Sequence, residues 1–114
     1  MTAVLEADST TAFEMIAATP GITLVDFTAE WCAPCRMLAP VLDQLSAETA
    51  DLTVLKVDVD ASPELASSYQ VMSFPTLIFF VDGKPAHRLV GARGIGSLRE
   101  ELERVRQAVT AAES

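Results

Sequence analysis

The chain has 114 residues, half of them hydrophobic, which suits one packed core and is too little for two, so a single domain spanning 1–114 is expected. Sixteen Asp and Glu against eight Lys and Arg leave a formal net charge of −8, which argues against nucleic-acid binding, where neutralising phosphate needs a basic footprint. No apolar run approaches the ~20 residues that cross a bilayer, and Met1 to Asp8 lack the basic and apolar segments of a secretory leader. No membrane contact and a cytoplasmic location are therefore expected.

In chain order, Thr11-Ala12-Phe13-Glu14 reads as a capping box that opens a helix with Phe13, Ile16 and Ala17 inward, stopped by Pro20-Gly21. Ile22 to Phe27 is almost continuously apolar, the pattern of a strand buried on both faces. Its one charge is Asp26. A helix beginning near Pro34 carries Leu38, Val41, Leu42 and Leu45 as an i, i+3, i+4, i+7 stripe, with Pro40 expected to kink it. Leu52 to Asp58 reads as a second strand. Ser62-Pro63 is an N-cap with proline at the first helical position, opening a short helix to Tyr69.

Leu77 to Val81 is a third buried strand, Asp82-Gly83 a hairpin turn, and Ala86 to Val90 an edge strand introduced by Pro85. Ser97-Leu98-Arg99-Glu100 is a second capping box, opening a final helix with Leu98, Leu102, Val105 and Val109 inward. The pattern predicts an α/β fold: a mixed sheet with helices on both faces. A small all-parallel doubly wound sheet is the alternative, and the hairpin counts against it. Gly91, Gly94 and Gly96 do not have dinucleotide-loop spacing and read as a turn. His87 reads as solvated on the edge strand, and the acids from Glu100 to Glu113 as a helix face.

The chemistry concentrates in Trp31-Cys32-Ala33-Pro34-Cys35, between a buried strand and a helix. Cys32, just before the first helical turn, faces unpaired N–H groups and the positive end of the helix dipole, which favour the reactive thiolate. Cys35 lies one turn further on the same side, where it can attack a mixed disulfide formed at Cys32. A purely structural disulfide here would close a tiny loop, worth roughly 2 kcal/mol or less. A zinc site would need four ligands, and the chain offers two cysteines and His87. No metal is expected.

Residues 25–36, Val-Asp-Phe-Thr-Ala-Glu-Trp-Cys-Ala-Pro-Cys-Arg, resemble the active-site signature of the thioredoxin family. Val71 to Leu77 resembles that family's proline loop, and Asp82-Gly83-Lys84 with Val90-Gly91-Ala92 its later landmarks. The resemblance implies a thioredoxin fold of about five strands and about four helices. It further implies reduction of client-protein disulfides without a prosthetic cofactor, and regeneration by a thioredoxin reductase. A monomer is expected.

Residue by residue, the resemblance makes Cys32 the exposed attacking thiol and Cys35 the resolving one. It makes Asp26 a buried acid that moves the proton of Cys35, and burial should raise its pKa; a structurally neutralised acid is the alternative. Lys56 matches a lysine beside that acid, so the two should titrate together. Pro75 resembles the family's cis-proline, which lets Phe74 pair its backbone with an extended client; a plain proline opening a strand is the alternative. Trp31 reads as a lid over the pair or as a core residue. Ala33 and Pro34, with Gly91 and Ala92, complete the surface implied to hold the client.

The chain departs from the family at Ala33, commonly Gly, and at Thr28, commonly aromatic; Arg36 keeps the charge of a frequent lysine. A small neutral Ala33 predicts a reducing potential near ~−270 mV. A binding or assembly module on the same fold, and a disulfide oxidase or isomerase, remain alternatives.

Overall fold

The computed structural model describes residues 4–113, with backbone only for Ala7, Ser9 and Glu113. Residues 1–3, part of the segment read for a leader, lie outside the described residues, as does residue 114. In order the elements are β1 (Leu5–Ala7), α1 (Ser9–Ala18), β2 (Ile22–Thr28), α2 (Ala33–Glu48), β3 (Leu52–Asp58), α3 (Pro63–Ser68), β4 (Thr76–Val81), β5 (Lys84–Val90) and α4 (Ile95–Glu113). The five strands form one sheet in the order β1-β3-β2-β4-β5. β1, β3 and β2 run parallel, while β4 is antiparallel to β2 and β5 to β4. The antiparallel pairs rule out the all-parallel alternative.

Side chains alternate across a strand, so the two faces of β2 can be read directly. Val25 and Phe27 join Ala12 and Ile16 of α1 and Leu65 and Ala66 of α3 in one core. Ile22 and Leu24 join Leu38, Leu42 and Leu45 of α2 and Leu98, Leu102 and Val105 of α4 in the other. Asp26 has the parity of Ile22 and Leu24, so it belongs to the face covered by α2. On β3, Lys56 has the parity of Leu52 and Val54, and it lies directly beside Asp26 in the β2–β3 register.

Several local expectations are corrected. α1 starts at Ser9, capped by Asp8, whose Oδ1 accepts from the Thr11 N–H at 3.0 Å, so Thr11 to Glu14 is not the capping box. Of the three residues expected inward, only Ile16 is buried; Ala12 joins it, whereas Phe13 is 55% exposed and Ala17 faces solvent. Ala12 and Ile16, four residues apart on one face of α1, meet the core, and this fixes the phase of the helix. Ser62 stands at the N-cap of α3, yet its buried hydroxyl makes no capping bond. α4 begins at Ile95, which places Ser97 inside the helix rather than at its cap. Pro40 lies inside α2, as expected. β1 is an unforeseen three-residue strand on the β3 edge.

The hairpin turn is as expected: Asp82 and Gly83 both have positive φ, 51° and 84°, as a two-residue primed turn requires. β5 forms the sheet edge, with a bulge opposite Phe79 and Phe80. His87 is not simply solvated. Its Nε2 lies 2.5 Å from Oε2 of the nearly buried Glu101, and its ring stacks on Phe79, joining β5 to α4. Glu101 also receives Arg104 at 3.0 Å, so this acid is a buried tie rather than part of a solvated face.

Candidate functional site

β2 ends at Thr28, and the chain turns through residues 29–32 into α2. Cys32 is the N-cap of α2, with φ −90° and ψ 109°, and Pro34 lies in the first turn, where its missing N–H leaves no helical bond unmade. The Cys35 N–H points at Cys32 Sγ, 3.3 Å away. Cys32 and Cys35 are joined as a disulfide with Cα atoms 5.3 Å apart. Both are buried in this oxidised form, 5% and 3% exposed, so the expected exposure of Cys32 is not present while the bond is closed. Ala33 and Pro34 beside them are exposed.

The Phe74–Pro75 bond is cis. Pro75 is buried, and Phe74 packs against the core cluster that holds both cysteines. The Gly91 N–H donates to the Pro75 carbonyl at 2.9 Å, which brings Gly91 and Ala92 alongside the proline. Gly91 has φ +94°. Trp31 is 63% exposed, which removes the core alternative; it meets the Phe74 ring edge-on at 5.7 Å, and its Nε1 donates to Asp60 Oδ2 at 2.8 Å. Asp60 escaped the sequence reading because nothing in linear spacing links it to a tryptophan 29 positions earlier. The exposed Met72 lines one groove together with Trp31 and Phe74.

Asp26 is 1% exposed and neither carboxylate oxygen has a hydrogen-bond partner. Desolvation raises its pKa to about 7, and the charge of Lys56 acts against the rise. The absence of any hydrogen-bond donor to the carboxylate counts against a structurally neutralised acid. The Lys56 Nζ lies 4.0 Å from Glu6 Oε1 on β1, the strand the sequence reading missed. A cavity of about 620 Å³ reaches Cys35; Thr28, Lys56 and Asp58 line it. The short Thr28, where the family commonly has an aromatic ring, forms part of its wall.

Among the described residues no group of three or more His, Cys, Asp or Glu is placed to hold a metal ion. His87, the third ligand a zinc reading would need, lies on β5 engaged with Glu101. No helix among the described residues is long and apolar enough to cross a membrane.

Disulfide exchange is the chemistry that two cysteines joined at the start of a helix can perform. Fold and site define a thiol–disulfide oxidoreductase. The thioredoxin family model matches residues 3–104. The thioredoxin of Mycobacterium tuberculosis is 57% identical over 83 residues, covering 72% of each chain. A solved mutant thioredoxin from Halobacterium salinarum NRC-1 superposes with a TM-score of 0.83 at 36% identity, covering 90% of this chain and 89% of that one. A bifunctional thioredoxin reductase/thioredoxin of Mycobacterium leprae is 51% identical over 83 residues, 72% of this chain and 18% of that protein. The chain belongs to the thioredoxin family, and it is a protein-disulfide reductase.

Proposed function

We propose that Cys32 attacks the client disulfide and Cys35 resolves the product, so that each cycle opens one client disulfide and closes Cys32–Cys35. The observation that carries this reading is the position of Cys32 at the N-cap of the 16-residue α2, with the Cys35 N–H directed at its sulfur. Helix N–H groups and the dipole stabilise a thiolate there. The Cys32 thiolate displaces one client sulfur and forms a mixed disulfide. Cys35 then attacks the Cys32 sulfur and releases the second client thiolate. Asp26 accepts the proton of Cys35, and Lys56 tunes that acid through its charge.

Phe74 and Pro75 hold an extended client segment by backbone pairing, flanked by Trp31, Ala33 and Pro34 on one side and Gly91 and Ala92 on the other. The chain acts as one domain and as a monomer in the cytoplasm, and its cysteine pair carries the electrons without a prosthetic group. A thioredoxin reductase restores the dithiol; the bifunctional thioredoxin reductase/thioredoxin of Mycobacterium leprae supports this partner.

The test is reductase-coupled reduction of insulin. The wild-type chain should turn over, Cys32→Ser should be inactive, and Cys35→Ser should accumulate mixed disulfides through Cys32. Binding without turnover would favour the assembly-module alternative, and Cys35→Ser turning over at the wild-type rate would remove the resolving role.

A further inference from the structure

Among the described residues, two charged side chains keep a buried polar atom with no hydrogen-bond partner: Asp26 and Arg93. Asp26 has a place in the proposed reaction. Arg93 does not, and a buried donor left unpaired calls for a physical reason. The other five arginines are engaged: Arg36 with the Glu30 carbonyl, Arg88 with the Tyr69 and Gln70 carbonyls, and Arg99, Arg104 and Arg106 with carboxylates. Sixteen acids are available in this chain, yet no described acid pairs with Arg93.

Its location is informative. Arg93 is half-buried in the connection from β5 to α4, two residues after Gly91, whose N–H is bonded to the Pro75 carbonyl. Arg93 thus stands two residues along the chain from the contact with Pro75, without a counter-charge among the described residues. Toward Phe74, Trp31 covers the ring and is tied to the exposed Asp60, and Glu30 next to Trp31 is exposed, with Arg36 bonded to its carbonyl.

We infer that Arg93 is a specificity-determining residue that receives an Asp or Glu side chain of the client segment lying against Pro75 and Gly91. This rests on the reading that Phe74 and Pro75 hold the client. A guanidinium matches a carboxylate with paired donors, and partial burial strengthens the pair relative to a fully solvated one. The Nε is closed to solvent, so the docked carboxylate meets the terminal guanidinium nitrogens, which no described side chain engages. An acidic client is otherwise disfavoured by the net charge of −8, so Arg93 offsets that repulsion at the point of contact.

The experiment uses two short peptides, each with one cysteine linked to thionitrobenzoate and flanked either by Glu or by Lys. Reduction by the dithiol form releases the coloured thiolate. Arg93→Glu should shift the Glu-to-Lys ratio of kcat/KM about tenfold toward Lys, Arg93→Ala about threefold, with the change in KM rather than kcat. Arg93→Lys should recover part of the wild-type ratio, and raising salt should flatten the wild-type ratio toward that of Arg93→Ala. Lys84→Glu makes the same charge change at the hairpin end of β5 and should leave the ratio unchanged. An unchanged ratio in Arg93→Glu, or an equal shift in Lys84→Glu, overturns the inference. Failure of the wild-type dithiol to reduce either peptide would instead overturn the reading of the site.

Discussion

Asp26 is one residue whose energetic role and chemical role oppose each other. In the unfolded chain it titrates near 3.8; in the fold, burial moves it to about 7. Below pH 3.8 both states hold the proton and the group favours neither. As pH rises from there to about 7 the unfolded state loses its proton and the folded state keeps it, so stability falls across that window and stays reduced above it. Asp26→Asn should therefore stabilise the fold at pH 8 by on the order of 1–3 kcal/mol, a gain that shrinks toward pH 4 in denaturant titrations. The same variant should slow disulfide exchange. A variant that is less stable and equally fast would make Asp26 a structural group. Removing the neighbouring cation tests the coupling: Lys56→Met should raise the Asp26 pKa further, read by following the carboxyl carbon through a pH titration, and an unchanged midpoint would show the two to be independent.

The β4–β5 hairpin shows how a turn is made to fit a neighbouring helix. Asp82 Oδ1 accepts from the Gly21 N–H at 2.7 Å, and the Asp82 N–H returns to the Gly21 carbonyl at 2.9 Å, closing the turn onto the segment between α1 and β2. Gly83 has φ +84°, and a Cβ there would stand 2.9 Å from the Ala17 carbonyl oxygen of α1. Gly21 has a similar φ of +80° but open space around it. Gly21→Ala should thus cost only the left-handed backbone, about 1 kcal/mol, whereas Gly83→Ala adds the clash with α1 and should cost about 2–3 kcal/mol. Equal losses in thermal unfolding would mean that α1 yields freely at the turn. The sequence announced this hairpin through Asp82-Gly83 alone, because a primed turn demands those residue types locally. It could not announce Ala17 as the limit on Gly83, since that contact joins segments 66 positions apart.

The whole molecule has two cores separated by one sheet, and its stability should reflect that division. Ile16→Val on the α1 face and Leu42→Ala on the α2 face remove atoms from clusters with no common member. Their costs, about 0.5–1.5 and 2–5 kcal/mol, should add to within about 0.5 kcal/mol in the double variant, with one cooperative transition. A larger coupling would mean that the sheet transmits strain between its faces. The division also separates what sequence determines from what tertiary structure decides. Periodicity, turn residues and the Trp31-to-Cys35 motif were sufficient for the mixed sheet, the helices and the redox pair, because those depend on residues within a turn or a strand of each other. The phase of α1, the start of α4, β1 and the Glu101 tie to His87 were not legible, because each depends on a partner from a distant segment. The same holds for the site itself: the cysteines are three positions apart in sequence, but only the strand register sets Lys56 beside Asp26, and only chain folding sets Gly91 against Pro75. Local rules determine which groups can react; the packing of remote strands decides which charges and acceptors surround them.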